Sequence, residues 1–268
     1  MSSRALLRIS LIVSMAACAS PAAQGEPQPV TLTVFAAASL TGSFTEIGKD
    51  FEADHPGVTV VFNFAGSQQL SRQLADGASA DVFASADTRQ MDTAIQAGRV
   101  AGDAPKTFAR NRLVVIVPQD NPADLHTLKD LARPGLRLVL AAKEVPVGQY
   151  TLDFLGQASR DTAFGATFGD DVLKNVVSYE ENVRAVLSKV ALGEADAGIV
   201  YASDVRLHGA DEVRRIDIPE ALNTIATYPI APVIDSAQAT RAQAFVDWVL
   251  GPKGQAVLEQ YGFIGAEP

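Results

Sequence analysis

Short apolar runs rich in β-branched residues alternate with helical patterns along most of the chain from Val30 onward. The segments 31–36 and 58–64 have the composition of strands, and the apolar residues of 39–54 and 67–75 recur at helical spacing. Such an alternation is typical of α/β proteins with mixed, mostly parallel sheets and flanking helices. The sequence therefore predicts an α/β fold.

The alternation of strands and helices restarts after a continuously apolar run, 112–118, which predicts a strand buried on both faces. A second strand-like run, 227–233, precedes the two C-terminal helical segments. Two series of βα units joined by two crossing strands predict two lobes with a cleft between them. The expected lobes are lobe 1, residues 30–110 plus 229–268, and lobe 2, residues 111–228.

The first 25 residues are expected to lie outside the fold. Arg4 and Arg8 precede an apolar run, Ile9–Ala17, that is too short to span a bilayer and has the form of a secretory signal. The only cysteine, Cys18, follows that run, so no disulfide can form within the chain. Its context resembles a bacterial lipobox, which predicts a signal over 1–17, lipid on Cys18 and a short tether; cleavage slightly beyond Cys18 is the alternative.

Charge and motif content exclude several classes of function. The formal net charge is −9 and no Lys/Arg-rich run is present, so the chain is not expected to bind nucleic acid. No nucleophile elbow, P-loop, H-E-x-x-H or C-x-x-C motif occurs. His55, His126 and His208 lack metal-ligand spacing. We therefore expect neither an enzyme nor a resident cofactor or metal ion.

Two predicted strands run directly into a serine that opens a helix, at Ser39 and at Ser67. Small neighbours, a hydroxyl and the positive end of the helix dipole together favour an anion at such a point. Each serine alone is equally compatible with an ordinary N-cap. Predicted helices also begin at Val147 and Val183, and Tyr201 ends a buried strand with a phenol that needs a partner.

Several motifs occur in a specific order and spacing across residues 30–264. They are Val34-Phe-Ala-Ala-Ala-Ser-Leu40, Phe64-Ala-Gly-Ser67, Ala80-Asp-Val-Phe-Ala-Ser-Ala-Asp87, Val145-Pro-Val-Gly-Gln-Tyr150, Glu181-Asn-Val-Arg184, Gly198-Ile-Val-Tyr-Ala-Ser-Asp204, Tyr228-Pro-Ile230, Gly251-Pro252 and Tyr261-Gly-Phe263. In this order and spacing they resemble the periplasmic molybdate-binding proteins of ABC transporters, the ModA family.

The resemblance implies a two-lobed type II periplasmic-binding-protein fold that closes on a tetrahedral oxyanion, molybdate or tungstate. It also implies a monomeric periplasmic receptor that delivers this ion to an ABC permease, without catalysis and without a cofactor. By position in the motifs, the ion would be held by hydroxyl or backbone donors of Ser39, Ser67, Val147, Val183 and Tyr201. Gly66 stands where some relatives carry serine, and Val147 where they often carry alanine.

Three alternatives stay open at this point. A sulfate-type receptor belongs to the same class. A secreted hydrolase would use Ser39 or Ser67 as nucleophile and would need a base nearby, although neither histidine nor lysine is adjacent in sequence. An iron(III) receptor would need clustered tyrosines, whereas Tyr179, Tyr201 and Tyr228 are scattered along the chain.

Overall fold

The computed structural model describes residues 29–206 and 212–266. Its strands are β1 (Val30–Ala37), β2 (Val58–Ala65), β3 (Val82–Ala84), β4 (Lys106–Asn111), β5 (Leu113–Pro118), β6 (Leu138–Ala141), β7 (Val176–Glu180), β8 (Ala197–Tyr201), β9 (Val213–Asp217), β10 (Ala226–Pro232) and β11 (Ile264–Gly265). Its α-helices are α1 (Thr41–Asp54), α2 (Ser67–Ala75), α3 (Thr88–Gln96), α4 (Pro146–Arg160), α5 (Phe168–Lys174), α6 (Val183–Ala191), α7 (Ala202–Arg206), α8 (Ala239–Leu250) and α9 (Pro252–Gln260).

The strands form two mixed sheets. One has the order β11-β4-β10-β3-β1-β2 and the other the order β7-β6-β8-β5-β9. The βα units supply the parallel pairs, which join β2 to β1 to β3 and β7 to β6 to β8. The remaining pairs are antiparallel. The expectation of mostly parallel sheets therefore holds only for the βα units, because the chain leaves the first sheet along β4 and returns to it in the opposite direction along β10.

The chain passes between the sheets twice. On the first passage a single residue, Arg112, separates β4 from β5, and on the second the segment between Asp217 and Ala226 separates β9 from β10. The lobe boundary expected after residue 228 falls inside β10, which pairs with β4 from Ala226 onward.

Most expected elements are present, with shifted ends. The helix expected over 39–54 is a 3₁₀ turn, Ala38–Leu40, followed by α1. A second 3₁₀ segment spans Leu128–Ala132. No sequence pattern had indicated β4, α5, α7, β9 or β11.

Aromatic packing fixes the position of α1 against the first sheet. The Phe44 ring lies 5.6 Å from the ring of Phe108 in β4 and 6.1 Å from those of Phe62 and Phe245. Ring pairs at these separations add to the stability gained from burial. The start of α1 is therefore held at the end of β1, which places Ser39 at that edge of the sheet.

No helix among the described residues is long and apolar enough to cross a membrane. The expected signal segment, the tether and Cys18 lie outside the described residues.

Candidate functional site

One small cavity lies between the two sheets, where several helices begin. It is lined from the side of the first sheet by Ser39 and Ser67, which follow β1 and β2, and from the second sheet by Val147, Val183 and Tyr201. All five residues singled out from the sequence thus line the same cavity. The cavity has a volume of about 10 Å³. Binding sites for drug-sized molecules are far larger, about 300 to 1,000 Å³. The cavity suits a compact ligand.

Among the described residues, no neighbour accepts the hydroxyl proton of Ser67. It is the first residue of α2, with Gly66 in the N-cap position, so its side chain is not an N-cap. The Ala86 backbone N–H donates to Ser67 Oγ at 3.0 Å. Because that bond occupies a lone pair and leaves the hydroxyl proton free, Ser67 can donate into the cavity.

Ser39 lies inside the 3₁₀ turn that precedes α1, and the N-cap positions of that turn and of α1 are Ala37 and Leu40. Its hydroxyl is 3.0 Å from the hydroxyl of Tyr228, a fully buried residue of β10. The ordinary N-cap interpretation of the two serines is therefore wrong for both, since each hydroxyl is engaged by a residue far away in the sequence.

Val147 and Val183 occupy the first turns of α4 and α6. Pro146 opens α4, and Gly148 lets that helix start press against the end of β6, because an added Cβ there would lie 2.0 Å from the Ala142 carbonyl oxygen. Asn182 caps α6 by accepting from the Ala185 N–H at 3.0 Å. Backbone N–H groups in a first helical turn have no acceptor within their helix, so these two are available to a ligand.

Tyr201 is the residue whose chemistry most strongly implies a ligand. It is 1% exposed, and its hydroxyl has no hydrogen-bond partner within the described residues. Burial raises the pKa of this phenol well above its ordinary value, so it stays protonated and remains a donor. A buried donor without an acceptor is costly, on the order of 1–3 kcal/mol. A bound acceptor in the cavity would remove that cost.

The cavity is electrically neutral but has polar donors. None of its lining residues carries a charged side chain. Asp204 follows Tyr201 by three residues, and its Oδ2 accepts from the Tyr201 N–H at 3.1 Å. Burial raises the pKa of Asp204 to about 7, although Arg184, 4.0 Å away, opposes the shift. Such a site attracts an anion through hydroxyls, amides and helix starts rather than through ion pairs.

Contacts across the cleft join α2 to the second sheet. Gln68 Nε2 donates to the Glu181 carbonyl oxygen at 2.8 Å, and Gln69 Nε2 donates to the Glu181 carboxylate at 3.0 Å. A Cβ added at Gly66 would lie 2.6 Å from the same carbonyl oxygen. Gly66 therefore permits the close approach of the two sides, and the Glu181 carboxylate is engaged by Gln69.

Two polar residues near the cavity, Asn111 and Tyr228, were not predicted as site residues. Tyr228 contacts Ser39, and Asn111, at the end of β4, lies 3.5 Å from the Tyr228 hydroxyl and 2.8 Å from Ser203 Oγ. Asn111 immediately precedes the apolar run 112–118, which is the only sequence signal for it. Tyr228 belongs to the motif Tyr228-Pro-Ile230, in which no role was assigned to it.

The geometry can be compared with two of the alternatives, the secreted hydrolase and the iron(III) receptor. Within the described residues, neither Ser39 nor Ser67 contacts a histidine, a lysine or a carboxylate that would act as a base. Tyr201 and Tyr228 are not scattered, because their rings lie 5.7 Å apart where β8 and β10 approach each other. Burial raises the pKa of both phenols well above the ordinary value, which disfavours the phenolate that iron(III) requires.

No group of three or more His, Cys, Asp or Glu side chains that could hold a metal ion occurs in the part of the chain that the structure describes. Within that part, His55 stacks on Phe51 and His126 pairs with Asp124. His208 lies outside the described residues.

Comparison with known proteins identifies the family. Residues 32–264 match the family described as bacterial extracellular solute-binding protein, and the chain belongs to that family. Over 266 residues it is 41% identical to the molybdate-binding protein ModA of Mycobacterium tuberculosis, an alignment that covers 97% of each chain. Within the solute-binding proteins, the chain belongs with the ModA proteins, which confirms the resemblance found in the motifs.

Solved structures confirm the type II periplasmic-binding-protein fold. The periplasmic molybdate-binding protein of Azotobacter vinelandii has a TM-score of 0.75 at 21% identity, covering 88% of this chain and 100% of that chain. The sulfate-binding protein SubI of Mycobacterium tuberculosis has a TM-score of 0.80 at 20% identity, covering 89% of this chain and 88% of that chain. Identities this low show the shared fold and do not discriminate between ligands.

Proposed function

We propose that the protein is an extracytoplasmic receptor that binds molybdate, and also tungstate, and delivers it to an ABC permease without catalysing a reaction. The proposal rests on one observation above all, the buried and unpartnered Tyr201 hydroxyl in a cavity ringed by neutral donors. The name of the 41% identical relative supports the choice of ligand. Burying a dianion among neutral dipoles is favourable only if many hydrogen bonds converge on it.

The proposed ligand contacts are the hydroxyls or backbone N–H groups of Ser39 and Ser67, the backbone N–H groups of Val147 and Val183, and the Tyr201 phenol. The first two lie in lobe 1 (residues 30–110 and 229–268) and the others in lobe 2 (111–228), so the ion bridges the lobes and closes the hinges near 107–112 and 225–230. Ligand binding then compacts the protein. Small-angle scattering that is identical with and without molybdate would contradict this closure.

Discrimination against phosphate follows from the lack of a carboxylate among the proposed contacts, whose hydroxyls face the ion as donors. Near neutral pH a large fraction of phosphate ions keep a proton, and a dry site that offers only donors to the ion leaves that proton unpaired at a cost on the order of 1–3 kcal/mol. Molybdate carries no such proton. The Glu181 carboxylate, two residues before the proposed donor Val183, already accepts a hydrogen bond from Gln69.

Sulfate, the alternative ligand of the same class, is fully ionised, so the site must reject it by size. Its shorter bonds leave gaps to donors that are fixed on two lobes, and hydrogen bonds weaken steeply as they stretch. The expected order is molybdate and tungstate first, sulfate much weaker and phosphate negligible.

Calorimetry with the four oxyanions tests the proposed function. Purified protein is titrated with each ion, and sulfate and phosphate are then used as competitors against bound molybdate. Sulfate that binds as tightly as molybdate would refute the size argument and favour the sulfate-type receptor. Phosphate that displaces molybdate at comparable concentration would refute the neutral-donor site.

We further propose that the receptor is a periplasmic monomer that binds no nucleic acid and is anchored to a membrane by lipid on Cys18. A lone cysteine at the end of a signal-like apolar run has neither a disulfide partner nor metal-binding companions. Mass spectrometry of protein isolated from its native membrane decides the anchoring. An unmodified N-terminus that begins beyond Cys18 would show a freely soluble receptor.

A further inference from the structure

A chain of buried hydrogen bonds runs from Asn111, at the end of β4, to the cavity. The Ser39 and Tyr228 hydroxyls lie 3.0 Å apart, and Asn111 Nδ2 lies 3.5 Å from the same Tyr228 hydroxyl. All three residues are buried. A serine hydroxyl has one proton, so the direction of this chain decides whether Ser39 can donate to a ligand.

The orientation of the Asn111 amide sets that direction. The Arg112 backbone N–H lies 2.9 Å from Asn111 Oδ1, and an N–H can pair only with the oxygen of the amide. The amide nitrogen therefore points the other way, toward the hydroxyls of Ser203, at 2.8 Å, and Tyr228. Asn111 donates to both.

The phenolic proton of Tyr228 then has one place to go. Among the described residues, the hydroxyl of Tyr228 has only Ser39 Oγ and Asn111 Nδ2 as hydrogen-bond partners, and the amide nitrogen is not an acceptor. Tyr228 therefore donates to Ser39 Oγ. Ser39 keeps its own proton for the cavity.

We propose that Asn111 and Tyr228 are positioning residues that fix Ser39 as a hydrogen-bond donor to the bound oxyanion. The inference rests on the proposed function, since it assigns a role within that same site. We call this arrangement the Asn111–Tyr228–Ser39 relay. Asn111 ends β4, where the chain first passes between the sheets, and it also donates to Ser203 in α7, which follows β8 of the second sheet. The relay is therefore complete only when the two sheets have their observed relative arrangement.

A double-mutant cycle between Tyr228→Phe and Ser39→Ala tests the relay. Phenylalanine keeps the ring that packs against Phe108, Tyr201 and Phe263 and removes only the hydroxyl. In calorimetric titrations with molybdate, we expect Tyr228→Phe to weaken binding roughly tenfold in the wild-type background, because Ser39 loses its fixed direction. In the Ser39→Ala background the same change is expected to have less than about a twofold effect, since the residue through which it acts is absent.

Tyr261→Phe serves as the matched control. It also removes one tyrosine hydroxyl, which donates to Glu46 at 3.0 Å, but Tyr261 does not line the cavity. Its dissociation constant for molybdate is expected to equal that of the wild type. Equal weakening by Tyr228→Phe with and without Ser39 would show that Tyr228 supports the fold only, and would overturn the relay.

Asn111→Asp reverses the relay with little change of shape. A carboxylate accepts from the Tyr228 hydroxyl, so the phenolic proton turns away from Ser39, and Ser39 must donate to Tyr228 instead of the ligand. We expect the loss of affinity to be several times larger with Ser39 present than in Ser39→Ala, where only the added charge acts. Equal losses in both backgrounds would overturn the relay. Wild-type protein that binds no oxyanion in the same assay would instead refute the proposed function, and the relay with it.

Discussion

Replacing Tyr201 by phenylalanine is expected to separate the stability of the protein from its affinity for ligand. The Tyr201 hydroxyl is buried without a partner in the described residues. Removing an unsatisfied buried hydroxyl recovers on the order of 1–3 kcal/mol of desolvation cost. The ligand-free variant is therefore expected to unfold at equal or higher urea concentration than the wild type.

The same substitution should weaken ligand binding, because a hydrogen bond to a charged group contributes about 1.5–3 kcal/mol, or roughly 10- to 150-fold in the dissociation constant. Calorimetry with molybdate measures this loss directly. Urea unfolding supplies a second measurement through linkage. Molybdate at 100 times the wild-type dissociation constant stabilises the wild type by about 2.7 kcal/mol, and a variant that binds tenfold more weakly by about 1.4 kcal/mol.

Tyr150→Phe is an informative comparison, since Tyr150 lies in α4 but does not line the cavity. Its effect on the dissociation constant is expected to be small. A Tyr201→Phe variant with an unchanged dissociation constant would remove the phenol from the site. Marked destabilisation of the ligand-free variant would show that the hydroxyl has a partner in the folded protein, and would refute the reasoning from its isolation.

Three further substitutions are expected to have distinct effects. Ser67→Ala should weaken molybdate binding by roughly 1.5–3 kcal/mol and also destabilise the protein by leaving the Ala86 N–H unpaired; an unaltered dissociation constant would exclude Ser67 from the site. Gly66→Ala should leave the fold intact, since the φ of Gly66 is −60°, but it should prevent the two lobes from closing, because the added Cβ would lie 2.6 Å from the Glu181 carbonyl oxygen. Small-angle scattering that shows compaction of this variant on adding molybdate would contradict the expectation. Asp204, whose pKa is raised from 3.8 to about 7, takes up a proton on folding between those values, so stability falls as pH rises from about 4 to 7. In urea unfolding, Asp204→Asn should reduce that fall, and an unchanged difference between pH 5 and pH 8 would refute the assignment.

The parts of the site that could be predicted from sequence are those with local signals. A strand followed by small residues and a helix start is a short-range pattern, and it indicated Ser39, Ser67, Val147 and Val183, which line the cavity. A buried strand that ends in a phenol indicated Tyr201, which lines it too. These patterns are readable because the end of a strand and the start of the next helix are adjacent in the chain.

The remaining parts depend on contacts between distant segments. Ser39 and Tyr228 are 189 residues apart in sequence, and Asn111 and Tyr228 are 117 apart, so no local pattern reports their hydrogen bonds. Missed secondary structure has a different cause. The helix α5 spans 7 residues, too few for a clear helical period. The edge strand β9 has the sequence VRRID, which is mostly charged and lacks the strict alternation that indicates a strand.

The neutral character of the cavity also bears on release of the ligand. The net charge of −9 disfavours a dianion at long range, but salt at physiological strength screens such interactions beyond about 8 Å. The proposed donors are divided between the two sheets, with Ser39 and Ser67 on one side and Val147, Val183 and Tyr201 on the other. Separation of the two sides leaves the ion with two or three of the five proposed donors and lets water replace the others, and no cationic side chain of the described residues lines the cavity to hold the ion. A site built from divided neutral donors can thus bind a dianion tightly when closed and release it when opened, as delivery to a permease requires.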